Sequence, residues 1–211
     1  MDSISEFFKS ALFFVVATFG INVSTEEPAY QILEQIDPQT EIRLYAPRLA
    51  AEVTVAQSGD QKMENRAFGK LAAYIFGDNQ AKARIEMTAP VEQSRPTQAA
   101  KIAMTAPVDV KKDGPSMTMR FFMPSDYKPD TLPQPKDPSI KITLLPEQRI
   151  AVRRYTGFTD EDSVHVQQEK LADSLNKTTW RMDGDFRSYF YNPPWTLPFL
   201  RRNEILVPVK Q

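Results

Sequence analysis

Twice along the chain the apolar spacing changes from alternation to a helical repeat and back, which fixes the order of strands and helices in any compact fold. Ala51, Val53 and Val55 alternate with Glu52 and Thr54, the period-2 pattern of a strand with one wet face. Met63, Ala67, Leu71 and Tyr74 then recur at helical spacing, with Phe68, Ala72 and Ile75 widening the stripe. Gly77-Asp78-Asn79 ends that helix, glycine being the usual residue just past a helix C-terminus. Ahead of this, Tyr30–Ile36 and Glu41–Ala46 flank a turn at Asp37-Pro38-Gln39-Thr40. Behind it, Arg84–Val91 is nearly repeated as Lys101–Val108, each copy containing Met-Thr-Ala-Pro. Proline lacks the N–H a ladder needs, so both are read as strands that stop at their proline, with a polar loop around Ser94–Ala99 between them.

The second half repeats the order. After a strand at Met117–Met123, five prolines in Pro124–Pro138 mark a long extended connection. Ile140–Leu145, a turn at Pro146-Glu147-Gln148 and Arg149–Tyr155 form a strand pair like Tyr30–Ala46. A helix from about Asp160 to Asn176 carries Val164, Gln168, Leu171 and Leu175 on one stripe, and Phe186–Tyr191 and Glu204–Val209 close the chain with strands. This predicts an α+β fold: a curved antiparallel sheet or distorted barrel with two flanking helices, built as a pseudo-two-fold repeat of strand pair, helix, strand pair. At 211 residues the chain supplies one core.

Composition removes most chemistries. There is no cysteine, which excludes disulfides, thiolate catalysis and Cys-held zinc or iron–sulfur clusters, and one histidine, His165, which excludes multi-histidine sites. With 26 basic and 27 acidic residues and no Lys/Arg-rich run, nothing suggests nucleic acid as a partner. From Ser10 to Thr25 there is no charge, and Ala11–Ala17 is apolar. As a helix this segment covers roughly 24 Å, short of the ~30 Å hydrocarbon layer. A signal peptide, or a short membrane anchor, over residues 1–25 fits better. Lys9 is the lone cation there, preceded by Asp2 and Glu6, and an N-terminal helix packed on the domain is the other reading. The expected location is exported, periplasmic or membrane-anchored, with the folded domain over 26–211.

Three motifs together resemble the SOUL/heme-binding-protein family. Phe68-Gly69-Lys70-Leu71-Ala72-Ala73-Tyr74-Ile75-Phe76-Gly77-Asp78-Asn79 is similar to its first helix and exit. Met87-Thr88-Ala89-Pro90 matches its Met-Thr-x-Pro element. Tyr191-Asn192-Pro193-Pro194-Trp195, followed by Arg201-Arg202-Asn203-Glu204-Ile205, is similar to its C-terminal region. The resemblance implies a distorted β-barrel with two helices that binds heme or another porphyrin, non-covalently, in a shallow apolar site along the first helix and a loop before the last strand. It also implies a carrier, buffer or scavenger with no catalytic residue and no metal site built from side chains.

Carried over position by position, the implied site comprises Asn65, Arg66, Phe68, Gly69, Lys70, Leu71, Ala72, Ala73, Phe76, Trp195, Arg201 and Arg202. Lys70 keeps a lysine of the family, and Phe68 stands for a methionine. Asn65 and Ala73 stand where the family has basic residues, so Arg201, Arg202, Lys82 and Arg84 are the candidate replacements near the propionates. Macrocycle packing is expected on Phe68, Leu71, Ala72 and Phe76. His165 is read as a surface residue rather than an iron ligand, Tyr74 and Met63 as core. Asp160-Glu161-Asp162 reads as a dipole-complementing first turn. The alternatives are a small-molecule effector-binding or protein-interaction domain, whose fold the family resembles, and an enzyme acting on a tetrapyrrole, for which Glu86 is the candidate acid–base group. Trp195, Pro198, Phe199 and Leu200 form an apolar loop read equally as a ligand lip, a membrane-touching loop or a barrel cap.

Overall fold

The computed structural model describes residues 25–56, 62–95 and 116–211. The strands are β1 (Tyr30–Asp37), β2 (Thr40–Tyr45), β3 (Arg48–Ala56), β4 (Val91–Ser94), β5 (Ser116–Phe122), β6 (Ile140–Leu145), β7 (Gln148–Tyr155), β8 (Arg181–Met182), β9 (Arg187–Phe190) and β10 (Asn203–Lys210); the helices are α1 (Met63–Ile75) and α2 (Glu161–Leu175). All of these strands join one antiparallel sheet in the order β1-β2-β7-β10-β9-β4-β5-β3-β6, with β8 added against β10. The expected class, a curled antiparallel sheet with two helices outside it, is what the chain forms.

The repeat is present, and its strands are exchanged between halves. The unit β2-β3-α1-β4-β5 corresponds to β6-β7-α2-β9-β10. β2 pairs with β7 and β6 pairs with β3, while β4 meets β9 at the centre with Val91 opposite Phe190. The sequence reading expected Ile140–Leu145 and Arg149–Tyr155 to pair with each other. They do not, and neither do β2 and β3. Two-residue hairpin loops need positive φ at a central residue, and the links here, Ala46-Pro47 and Pro146-Glu147, contain proline, whose φ is fixed near −65°. The chain therefore crosses to the other half instead of folding back.

Strand alternation sorts the core into three groups. Ala51, Val53 and Val55 of β3 and Met117, Met119 and Phe121 of β5 pack on Met63, Ala67, Leu71, Tyr74 and Ile75 of α1. Ala151, Tyr155, Ile205 and Val207 pack on Leu171 and Leu175 of α2. The opposite face carries Tyr45, Ala50, Phe122, Ile150, Val152, Tyr189, Tyr191 and Leu206. Among the described residues no helix packs on this group, yet its members are buried, the curl of the sheet bringing them together.

The local stop signal of α1 holds, and the acidic start of α2 begins with a cap. Gly77 exits α1 at φ +111°, and the Asp78 N–H donates to the Ala73 carbonyl at 2.9 Å. Asp160 caps α2, accepting from the Ser163 N–H at 3.0 Å. One strand is misplaced: of Arg84–Val91, only Val91 lies in a strand, β4. The preceding backbone is spent elsewhere. Ile85 N–H donates to the Ile75 carbonyl, Ala83 N–H to Asn79 Oδ1 and Ala89 N–H to the Glu26 carbonyl. The strand begins only past Pro90. Its expected twin at Lys101–Val108 lies outside the described residues, as do the segment before Thr25 and most of the Ser94–Ala99 loop.

Candidate functional site

Helix α1 buries Met63, Ala67, Leu71, Tyr74 and Ile75, and so turns the rest of its surface outward. Along one flank, Asn65, Arg66, Gly69, Lys70 and Ala73 line an open groove of about 460 Å³ whose other wall is Asp78, Asp137 and Ile140, with Tyr74 at its base. On the other flank stand Phe68 and Phe76, 43 % and 58 % exposed, with Ala72 half-buried between them. The Phe68 ring meets Phe121 edge-on at 5.3 Å, and the Arg84 guanidinium lies over the Phe76 ring at 5.4 Å. Gly69 sits on the ridge between the flanks, and a side chain added there would meet nothing within 4 Å.

The structure therefore brings together the expected residues of α1 with one exception. Leu71 is fully buried in the core and presents no surface to a ligand, because it continues the Ala67–Tyr74 stripe. Lys70 reaches across the groove to Asp137 at 2.5 Å and Ser139 at 2.9 Å. The Lys70 ammonium, aided by Ser139, holds the Asp137 carboxyl down at about 2. Arg66 donates to the Ala56 carbonyl at 3.0 Å. Tyr74 donates its hydroxyl to the Pro133 carbonyl at 2.6 Å, and burial pushes its pKa up to about 12. Asp78, Asp137 and Ile140 were not anticipated as groove residues. Asp137 arrives from 67 positions away, and the local signal at Asp137-Pro138-Ser139 is that of a turn.

The C-terminal candidates belong to another part of the molecule. Arg202 leads into β10, three places from β5 in the sheet order. It pairs with Glu204 at 3.1 Å and Glu27 at 2.9 Å, and stacks on the Tyr191 ring at 3.7 Å. Arg201 donates to the Thr196 and Pro194 carbonyls, tying down the loop that carries Trp195. Of the four candidate basic replacements, Arg84 sets its guanidinium over Phe76, and the Lys82 backbone lies beside Gly77 at the α1 exit. His165 lies on α2, 70 % exposed, 3.5 Å from Glu169. Met63 and Tyr74 are core residues and Glu86 is exposed on the surface.

These residues fit a porphyrin macrocycle better than they fit its iron. Phe68, Phe76 and the bare ridge at Gly69 offer apolar contact, and Arg66, Lys70 and Arg84 supply charge on both flanks. The outward side of α1 carries no imidazole, thioether or phenol among the described residues, since Met63 and Tyr74 face inward. No cluster of His, Cys, Asp and Glu suited to a metal occurs among the described residues, and no described helix is long and apolar enough to cross a membrane.

Known proteins resemble this chain in sequence and in fold. The mouse protein named heme-binding protein 2 is 28% identical over 198 residues, covering 90% of this chain and 89% of its own. Among solved structures, a conserved protein from Listeria innocua superposes with a TM-score of 0.60 at 14% identity, covering 82% of this chain and 92% of its own. The EcmrR C-terminal domain gives 0.59 at 10%, covering 86% and 98%. At such identities these two speak for the fold alone. The sequence model described as SOUL heme-binding protein matches residues 25–208, and the chain belongs to that family.

Proposed function

We propose that this protein binds heme or a related tetrapyrrole on the outward face of α1 and acts as a carrier or buffer, without turning the ligand over. The observation that carries the reading is the ridge at Gly69, open to solvent and flanked by the exposed Phe68 and Phe76 rings. A flat macrocycle gains most where the backbone is bare and aromatic faces adjoin. Arg66 and Arg84 stand on opposite flanks to meet the two propionates, with Lys70 available once it leaves Asp137. Packing rather than axial ligation does most of the holding. The uncharged run from Ser10 to Thr25 supports export or membrane tethering of the domain.

An absorbance titration of the protein with hemin and, separately, with metal-free protoporphyrin tests this. Saturable binding of both, weakened by Phe68→Asp and unaffected by His165→Ala, is the expected result. No saturable change with either ligand refutes the reading.

A further inference from the structure

Tetrapyrrole binding on α1 leaves unused an apolar patch in another part of the molecule, where β7 ends and β10 begins. Phe158 lies just past the end of β7 and is 64 % exposed. Trp195, Leu197, Phe199 and Leu200 precede β10 and are exposed too, Phe199 at 68 % and Trp195 at 48 %. The two loops are bound together. The Gly157 N–H donates to the Pro198 carbonyl at 2.9 Å, the Asn203 amide donates to the Gly157 carbonyl at 3.3 Å, and Asn203 stands opposite Tyr155 across the ladder. These five side chains leave roughly 500 Å² of apolar surface in water, toward the top of what monomeric proteins leave uncovered.

Two features of the patch indicate what covers it. The first is its backbone. A hydrocarbon layer offers no hydrogen bonds, so a segment that enters it must bring its own. Pro193, Pro194 and Pro198 have no N–H to satisfy. The Thr196 N–H donates to the Pro193 carbonyl at 3.0 Å, and the 3₁₀ turn Pro198–Leu200 is closed by the Leu200 and Arg201 N–H groups, which donate to the Leu197 and Pro198 carbonyls. The Arg201 guanidinium donates to the Thr196 and Pro194 carbonyls and braces the turn. The second feature is where the chain enters the domain. Glu27 pairs with Arg202 at 2.9 Å. Thr25 comes two residues before Glu27, and Leu200 two residues before Arg202, each at most about 7 Å of backbone from that ion pair. The uncharged run Ser10–Thr25 therefore joins the domain beside the apolar patch.

We propose that this patch inserts into the surface of a lipid bilayer next to the N-terminal run, so that the domain meets the membrane at two points. Phe158, Leu197, Phe199 and Leu200 enter the acyl boundary, roughly 5–10 Å deep, and Trp195 sits at the level of the headgroups, where an indole is favoured. Attraction to anionic lipid plays little part, because Asp160, Glu161 and Asp162 follow Phe158 and offset Arg201. This second contact rests on the reading of the run as a membrane tether. A tether alone leaves the domain free to turn, whereas the inserted patch fixes which end faces the lipid.

Tryptophan emission tests this, because the chain has two tryptophans and neither lies in the run. Trp180 is buried, its Nε1 donating to Glu34 at 2.7 Å, so Trp180→Phe leaves Trp195 to report on the patch alone. The full-length variant is mixed with phosphatidylcholine vesicles, plain or with bromine on the acyl chains near the headgroup. The expected result is a blue shift of Trp195 and its quenching by bromine. Adding Phe199→Asp should raise the lipid concentration needed at least about tenfold, while cosedimentation with vesicles through the run persists. Should Trp180→Phe fail to fold, the same response in the wild type, lost in Trp195→Phe, carries the test. Cosedimentation without quenching overturns the second contact and leaves the tether standing; the absence of both overturns both. Quenching that Phe199→Asp does not alter also overturns the proposal. A blue shift that grows with protein concentration without lipid overturns it in favour of contact between two copies of the chain. Binding confined to vesicles containing phosphatidylglycerol, and abolished by salt, overturns it in favour of a charged surface.

Discussion

Gly69 is expected to be the position where stability and ligand binding move in opposite directions. It lies mid-helix, in α1, with ordinary helical backbone, and an added Cβ meets nothing within 4 Å. A glycine inside a helix costs about 0.5–1 kcal/mol relative to alanine, chiefly through the freedom it loses on folding. Gly69→Ala and Gly69→Gln should therefore each stabilise the protein by about that amount, raising Tm by about 1–4 °C for a chain of this size. Binding should respond to bulk instead. A methyl group barely lifts a macrocycle off the ridge. A glutamine side chain separates it from ~60 Å² of apolar surface, worth about 1.5 kcal/mol at ~25 cal/mol per Å², or roughly tenfold in Kd. Thermal melts and protoporphyrin titrations on the wild type and both variants measure the two effects. A fall in Tm for Gly69→Ala would show that the ridge is not open. A stabilised Gly69→Gln protein that binds porphyrin as tightly as the wild type would refute the placement of the ligand over Gly69.

Three further expectations concern the fold. Glu204 is fully buried, bonded to Arg43 at 3.0 Å and to Tyr191 at 2.7 Å, so Glu204→Gln leaves Arg43 without its full counter-charge. The loss should be about 3–5 kcal/mol by urea denaturation, and a loss near zero would mean that Arg43 finds another partner. Burial works to raise the Glu204 pKa, but Arg43, Arg202 and Tyr191 win and hold it below its ordinary value; hydrogen bonds from Lys70 and from Ser163 do the same for Asp137 and Asp160. Groups with depressed folded values stabilise fully above their unfolded values, near 4, and cease to as pH falls through the folded ones. Urea midpoints should thus drop between about pH 5 and about pH 2, less steeply in Glu204→Gln; a flat profile contradicts the assignment. Asp160→Ala removes the α2 cap and should lower the Tm by about 2–4 °C, and an unchanged Tm would show that the cap contributes nothing.

What could be read from the sequence was local. The α1 stripe and the Gly77 exit each depend on residues within a turn or two, and both lie where the pattern puts them; Asp160, read as part of the first turn of α2, stands one place before it as the cap. The exchange of β2 and β6 between halves was not legible, because a strand's alternation is the same whichever neighbour it pairs with. The same holds for the groove. Lys70 and Gly69 could be placed on α1 from their spacing, but Asp137 sits in a proline-rich connection whose path is set by tertiary contacts such as Tyr74 with the Pro133 carbonyl.

The deeper failure concerns what alternation means in a curled sheet. Glu52 and Thr54 alternate with Ala51, Val53 and Val55, and a polar row opposite an apolar one reads as a face in water. Thr54 does lie exposed, at the strand end. Glu52, further in, turns toward Arg120 on β5, and Arg120 stands opposite Glu52 on one side and Glu92 of β4 on the other. Curvature has turned the wet face into an interior lined with charge, and each charge tolerates burial because the neighbouring strand brings its opposite to the same register. Single-strand patterns cannot show this, since the compensation lies across the ladder and up to 161 residues away, as with Arg43 and Glu204. Once the ladder is known, the balance can be read partner by partner, and Arg48 is where it does not close. The guanidinium is met instead by the rings of Tyr45 and Phe122 and by the Ala46 carbonyl, so an arginine in a curled sheet can be held by aromatic faces where no carboxylate shares its register.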